Sequence, residues 1–184
     1  MDFRPRVLDH PFYQAWTRGD LSVEQLARYH QGYARFIERF PSYWRTVIDT
    51  FSPDPAGDVV VRDEQDHIEL WKLWGSALPP AVEAPGMEKT IAAFDAMPPS
   101  RLLGAIHAFE LQQPEVAATK KDGLLRHYGF RPETLTYFDE HLHEEKHIAY
   151  GLGLAERFVD PAEFSEGVRS GAELVYASLD EFVR

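Results

Sequence analysis

The stretch HLHEEKH, His141–His147, holds three histidines and two glutamates in seven residues. Imidazoles and carboxylates together are the donors of a non-haem metal centre, and this mixture of hard oxygen with nitrogen suits iron or manganese. On a helix, a carboxylate and a histidine three residues apart lie about 60° from each other around the axis, near enough to meet one ion or two adjacent ions. The chain has three such pairs: Glu64 with His67 in EQDH, His107 with Glu110 in HAFE, and Glu144 with His147 in EEKH. Each falls on a different predicted helix, as a centre inside a bundle requires.

Glu110 stands out among them. It follows LLGAIHAF and precedes LQQP, so it is a carboxylate in an otherwise apolar helix. A buried, unpaired carboxylate is costly, and a cationic partner such as a metal ion is expected beside it. Within HLHEEKH two faces compete. His141 and Glu145 are about 40° apart around the axis, while His143 and His147 share a face well over roughly 90° away. A regular helix cannot aim them all at one ion, and His143 is expected to face water.

What the chain lacks narrows the chemistry further. It has no cysteine, which removes disulfides, thiolate zinc sites, iron–sulfur clusters and cysteine nucleophiles. A formal charge of -11 repels phosphate backbones and anionic lipids, and only the short ATKKDGLLRHYGFR is locally basic. Neither nucleic acid nor membrane is an expected partner. No apolar run approaches the roughly 20 residues that cross a bilayer, and MDFRPRVLDHPF lacks the apolar core of a signal peptide. A cytoplasmic protein is expected.

The elements that must position these donors are helices, because apolar residues recur at helical spacing almost throughout, with DVVVRD the one doubtful segment. Asp9 is expected to cap a first helix that Gly19 ends, and Ser22 with Gln25 forms a capping box for the next. Pro41 is expected to kink that second helix. A third helix, Val59–Leu78 with a weak start, carries Trp71 and Trp74, which are the candidate surface for self-association as a homodimer. A short fourth helix covers MEKTIAAFDAM. Pro114 is expected to bend a long fifth helix near its middle. The segment RPETLTYFDEHLHEEKHIAYGLGLAERFV makes a sixth helix, and Asp160 with Pro161 starts a seventh. The expectation is an all-α, single-domain bundle of about seven helices over residues 1–184.

The segments HPFYQAWTRGDLSVEQLARYHQGYARFIERFPSYW, DEQDHIELWKLW, FELQQPEVAATKKDGLLRHYGF, TYFDEHLHEEKH and AELVYASLDEFV resemble the haem-oxygenase-like diiron oxidases, especially the CADD-type p-aminobenzoate synthases. The TenA thiaminases and PqqC cofactor-synthesis oxygenases share that fold. The resemblance spans nearly the whole chain. By position it implies iron ligands at Glu64 and His67, at Glu110, and at His141, Glu144 or Glu145, and His147. It implies two iron ions, with manganese as the alternative, and a metal-dependent oxidation of a small organic substrate by O2. Two departures accompany it. The first Glu-to-His segment is about one helical turn shorter than in CADD-type members, and the spacing to the last histidine is one residue short. Full use of both metal positions therefore requires a helix irregularity.

The resemblance also matches Tyr13, Lys120 and Tyr137 to residues associated with self-derived product formation, although Phe109 replaces a tyrosine usual beside the middle glutamate. On residue type alone the two tyrosines read as core or cleft aromatics, and Lys120 as a solvated helix residue. A thiaminase is excluded by the missing cysteine. The alternatives are a PqqC-like cofactorless oxygenase, which wants a basic pocket, and a non-enzymatic binding or regulatory protein with a degenerate site.

Overall fold

Local signals start and stop most of the helices. Ser22 and Gln25 form the reciprocal capping box that opens α2 (Val23–Ile37), after α1 (Pro11–Arg18) has ended at Gly19 in the left-handed conformation. The cap of α1 is His10 rather than Asp9. The imidazole of His10 accepts from the Phe12 amide at 3.1 Å, while Asp9 belongs to a 3-10 turn just before it. The computed structural model describes residues 4–81 and 83–183. These form ten α-helices and three short 3-10 segments, with no strand among the described residues.

Ten helices replace the seven read from the sequence because three of those seven divide. The chain breaks between α2 and α3 (Phe40–Phe51), between α6 (Pro99–Glu110) and α7 (Gln113–His127), and between α8 (Thr136–Glu140) and α9 (Glu145–Phe158). Pro41 and Pro114 each sit in the first turn of the helix after the break. Proline there forfeits no intrahelical hydrogen bond, whereas in mid-helix it would lose one and clash with the preceding turn. The helix expected to begin weakly at Val59 is α4 (Pro55–Gly75). The Asp54 carboxylate caps it by accepting from the Gly57 amide at 2.8 Å, so DVVVRD is helical. The short α5 (Glu88–Asp95) and the long α10 (Pro161–Ser178), capped by Asp160, complete the set.

At the centre lies α6, whose residues from Leu102 to Glu110 are all buried. It packs closely on α10 because glycines face the contact. A Cβ at Gly104 would run into the Phe164 carbonyl, and one at Gly167 into the Arg101 carbonyl. The opposite sides of α6 meet α3 and α9, and α4 lies beyond α3. All four tryptophans are core residues. Trp71 and Trp74 are 1% and 0% exposed, so they form no self-association surface. Their rings meet edge to face 4.7 Å apart, and Trp71 also stacks on His30. No described helix is long and apolar enough to cross a membrane.

The close α6–α10 contact has a direct test. Gly167→Ala is expected to destabilise the protein by about 2 kcal/mol in urea unfolding, the order of cost of overpacking a filled interface. Gly153→Ala on α9, where an added methyl meets nothing within 4 Å, is expected to be neutral or to stabilise by about 0.5–1 kcal/mol.

Candidate metal centre

Three helices and the α8–α9 break bring six buried side chains together. Glu64 and His67 come from α4, Glu110 from the last turn of α6, His141 and Glu144 from the break, and His147 from the first turn of α9. The Glu64 carboxylate lies between two imidazoles, with one oxygen 3.4 Å from His67 Nδ1 and the other 3.4 Å from His147 Nδ1. Glu144 likewise spans His147 Nδ1 at 3.2 Å and His141 Nε2 at 3.6 Å. The His67 and His141 rings are 4.3 Å apart between centroids. Glu64, Glu110 and His147 each place a donor atom within 4.8 Å of the others.

The break is what makes this possible. His141–Glu144 leaves the helical path, so the competing faces of HLHEEKH are re-aimed: His141, Glu144 and His147 turn inward, while His143 and Glu145 are exposed. Of the two alternative glutamates, Glu144 is buried in the cluster, whereas the first turn of α9 points Glu145 at solvent. The irregularity required by the short spacing is this loop. His141 is oriented by its other nitrogen, Nδ1, which lies 2.7 Å from the Tyr137 carbonyl, as metal-binding imidazoles usually are. The pair in HAFE separates. Glu110 enters the cluster, but His107 faces α10, its ring against Phe164 at 5.3 Å.

The electrostatics call for positive charge. Burial, together with the charges of Glu64 and Glu144, pushes the Glu110 carboxyl well above its usual range. Burial also opposes the charge on Glu64, yet His147 and His67 hold its carboxyl below the usual range. The same burial disfavours an imidazolium at His147, but the Glu144 and Glu64 carboxylates beside it push it up to about 11. His141, desolvated and facing His67, is pushed down to about 4. Glu144 Oε1 and His147 Nδ1 are buried with no hydrogen-bond partner. Three carboxylates, three imidazoles and orphaned donor atoms fit a divalent metal centre, in which the ion would replace the protons that now hold the cluster together.

Beside the cluster is a second buried polar group. Lys120 is 2% exposed, which corrects its reading as a solvated residue. Its Nζ lies 5.1–5.5 Å from the ring centres of Tyr13, Tyr29 and Tyr33, and 5.6 Å from that of Trp71. Burial pushes the amine down to about 7. Tyr13 and Tyr29 share a hydrogen bond of 3.2 Å between hydroxyls. Tyr137 joins the two regions, its ring 4.1 Å from His141 on one side and 4.8 Å from Trp71 on the other. Sequence reasoning did not find Tyr29, Tyr33 and Trp71 as the lysine cage, nor Trp44, whose indole N–H donates to Glu110 at 3.4 Å. These aromatics have ordinary core spacing, and no local signal marks them.

The buried carboxylate–imidazole cluster on a helical frame defines a metal-dependent oxidoreductase, and the chain belongs to the family of iron-containing redox enzymes, whose sequence profile matches residues 53–179. Among individual relatives, the 4-aminobenzoate synthase of Nitrosomonas europaea is 30% identical over an alignment covering 95% of this chain and 84% of the relative. Those of Chlamydia muridarum and Chlamydia trachomatis are 29% and 28% identical, each over 96% of this chain and over 84% and 86% of their own lengths. A solved TenA homolog from Pseudomonas syringae pv. tomato superposes with a TM-score of 0.72 at 18% identity, covering 97% of this chain and 86% of that one, so the two share a fold.

The buried amine has a pH signature. An unfolded lysine holds its proton up to about 10.5 and the folded one only to about 7, so between these values the unfolded chain binds more protons. Stability contributed at this position therefore rises with pH across that window and is least favourable below it. Lys120→Met is expected to raise the urea midpoint at pH 7, and its advantage over wild type is expected to shrink as pH approaches 10. A difference independent of pH would show that the amine is already solvated.

Proposed function

We propose that this protein is a diiron oxidase that uses O2 to form 4-aminobenzoate, with Tyr13, Lys120 and Tyr137 taking part in the chemistry. The observation that carries the proposal is the placement of a buried, uncharged-leaning amine among tyrosines, one aromatic ring away from a buried carboxylate–imidazole centre. The similarity to 4-aminobenzoate synthases supports the product class. In this reading Glu64, Glu110 and His147 hold one metal position, and His67, His141 and Glu144 hold the other. Iron bound there supplies electrons and an open coordination position to dioxygen.

The chain's own part is to position and to keep water out. The tyrosine and tryptophan rings around Lys120 exclude carboxylates that would fix its proton, so near neutral pH a large share of the amine has a free lone pair. Tyr137 holds His141 through its carbonyl and packs its ring against the cage, which ties the geometry of the two regions together. Phe109 packs on Phe40 and Phe36, so the position usual for a tyrosine is here an apolar core position. Asp63, Asp66 and Glu145 line the solvent side of the centre, which disfavours the PqqC-like alternative with its basic pocket. The reading also includes a single domain and a cytoplasmic homodimer, whose interface would lie away from Trp71 and Trp74.

Two measurements test it. In protein labelled with 15N-lysine, loaded with Fe(II) without oxygen and then exposed to O2, 4-aminobenzoate carrying 15N is expected, with a mass change mapped to Lys120. Unlabelled product, or none in the presence of two bound irons, would count against the role of Lys120. For the metal itself, one iron equivalent is expected to bind more tightly than the second, because among the described residues only Glu64, Glu110 and His147 converge within 4.8 Å. Glu110→Ala and Glu144→Ala are expected to lose bound iron, and Glu145→Ala to keep it. Iron lost from Glu145→Ala but retained by Glu144→Ala would reverse the assignment.

A further inference from the structure

The six side chains of the cluster are buried, yet three of them line an open cavity of about 710 Å3. His67, Glu144 and His147 form its floor. Its walls carry Asp63, Asp66 and Glu69 from α4, with Glu140 and Glu145 from the facing ends of α8 and α9. Lys146 and His143 are the basic groups on the same walls. Glu69 is paired with Lys72 at 2.7 Å, so the negative field falls mainly on the other four carboxylates.

His147 stands at the boundary between cavity and cluster. Its Nδ1 faces inward, toward Glu64 and Glu144. Its Nε2 faces outward, 3.5 Å from Asp63, whose side chain is 43% exposed. Independently of the acidic walls, Glu144 Oε1 and His147 Nδ1 are buried and lack hydrogen-bond partners, and both residues belong to the cavity floor. The carboxylates therefore lead from bulk water to donors that want a cation.

We propose that this acidic mouth is the route by which a divalent metal ion reaches the buried centre, with Asp63 as the last carboxylate to hold it before His147 and Glu144. This rests on the reading of the cluster as a metal centre. A divalent ion gives up hydration at great cost unless oxygen ligands replace water in steps. A cleft lined by one sign of charge also raises the local concentration of its counter-ion and can speed association by roughly 10- to 1,000-fold. Asp63 serves both needs, because it is solvent-accessible on one side and in contact with a buried donor on the other.

The test follows the rate of metal uptake. Metal-free protein is mixed with Co(II), and binding is followed by quenching of tryptophan fluorescence, since Trp44 is hydrogen-bonded to Glu110. The variant Asp63→Asn/Asp66→Asn/Glu145→Gln is expected to load about tenfold more slowly at low ionic strength, with the difference shrinking in high salt. Its final cobalt content by elemental analysis is expected to equal that of wild type. Asp63→Asn alone is expected to slow loading more than Asp66→Asn alone. The control Glu24→Gln/Glu83→Gln/Glu181→Gln removes as much charge from other surface depressions and is expected to load at the wild-type rate. Equal rates in the mouth variant and wild type, or equal slowing by the control, would overturn the proposal. So would a lower final cobalt content in Asp63→Asn, which would make Asp63 a ligand of the centre itself. Wild type that takes up no cobalt even at equilibrium would instead refute the metal centre.

Discussion

Glu64, Glu110 and Glu144 are buried together, and among the described residues the ion pairs of Glu64 and Glu144 into the cluster are all with histidines. Among the described residues no arginine or lysine is paired with these carboxylates, so the negative charge must be balanced by protons or by a metal ion. The consequences spread through the fold. Glu110 sits at the end of α6, the helix buried on all sides, and the close packing of α6 on α10 sets where that carboxylate emerges. Charge balance at one point thus depends on the glycines of the α6–α10 contact, among them Gly167, far from it in sequence.

The interruption between α8 and α9 solves a geometric problem that a continuous helix cannot. Donors at positions 141, 144 and 147 advance by about 300° per step on a regular helix, so successive ones drift around the axis. Leaving the helical path at His141–Glu144 removes that drift, and the Tyr137 carbonyl fixes the imidazole of His141. A metal held by these residues also competes with the proton on His147 and the one on Glu110, so binding couples to proton release.

Lys120 presents the opposite electrostatic case. Its cation is buried among ring faces, which offer a partial substitute for water but no counter-charge. The two buried groups of opposite preference lie on either side of Tyr137 and Trp71, and neither neutralises the other through a salt bridge. Such separation costs stability, and groups of perturbed charge state gathered in this way are what the proposed chemistry draws on.

The all-helical class, the capping of α2 by Ser22 and of α10 by Asp160, and the candidates Glu64, His67, Glu110, Glu144 and His147 were legible in the sequence, because each rests on local spacing or local hydrogen bonding, whereas His141 entered through the family resemblance. Local rules also misplaced some features. The helix read as starting weakly at Val59 begins at Pro55 under an Asp54 cap, and Pro41 and Pro114 read as bends where they begin new helices. The burial of Glu144 and exposure of Glu145, the departure of His107 from the cluster, and the burial of Trp71, Trp74 and Lys120 were decided only by tertiary structure. Periodicity specifies a residue's direction around its own helix. What lies in that direction depends on which helices pack there, and on where the chain leaves helical geometry to let them do so.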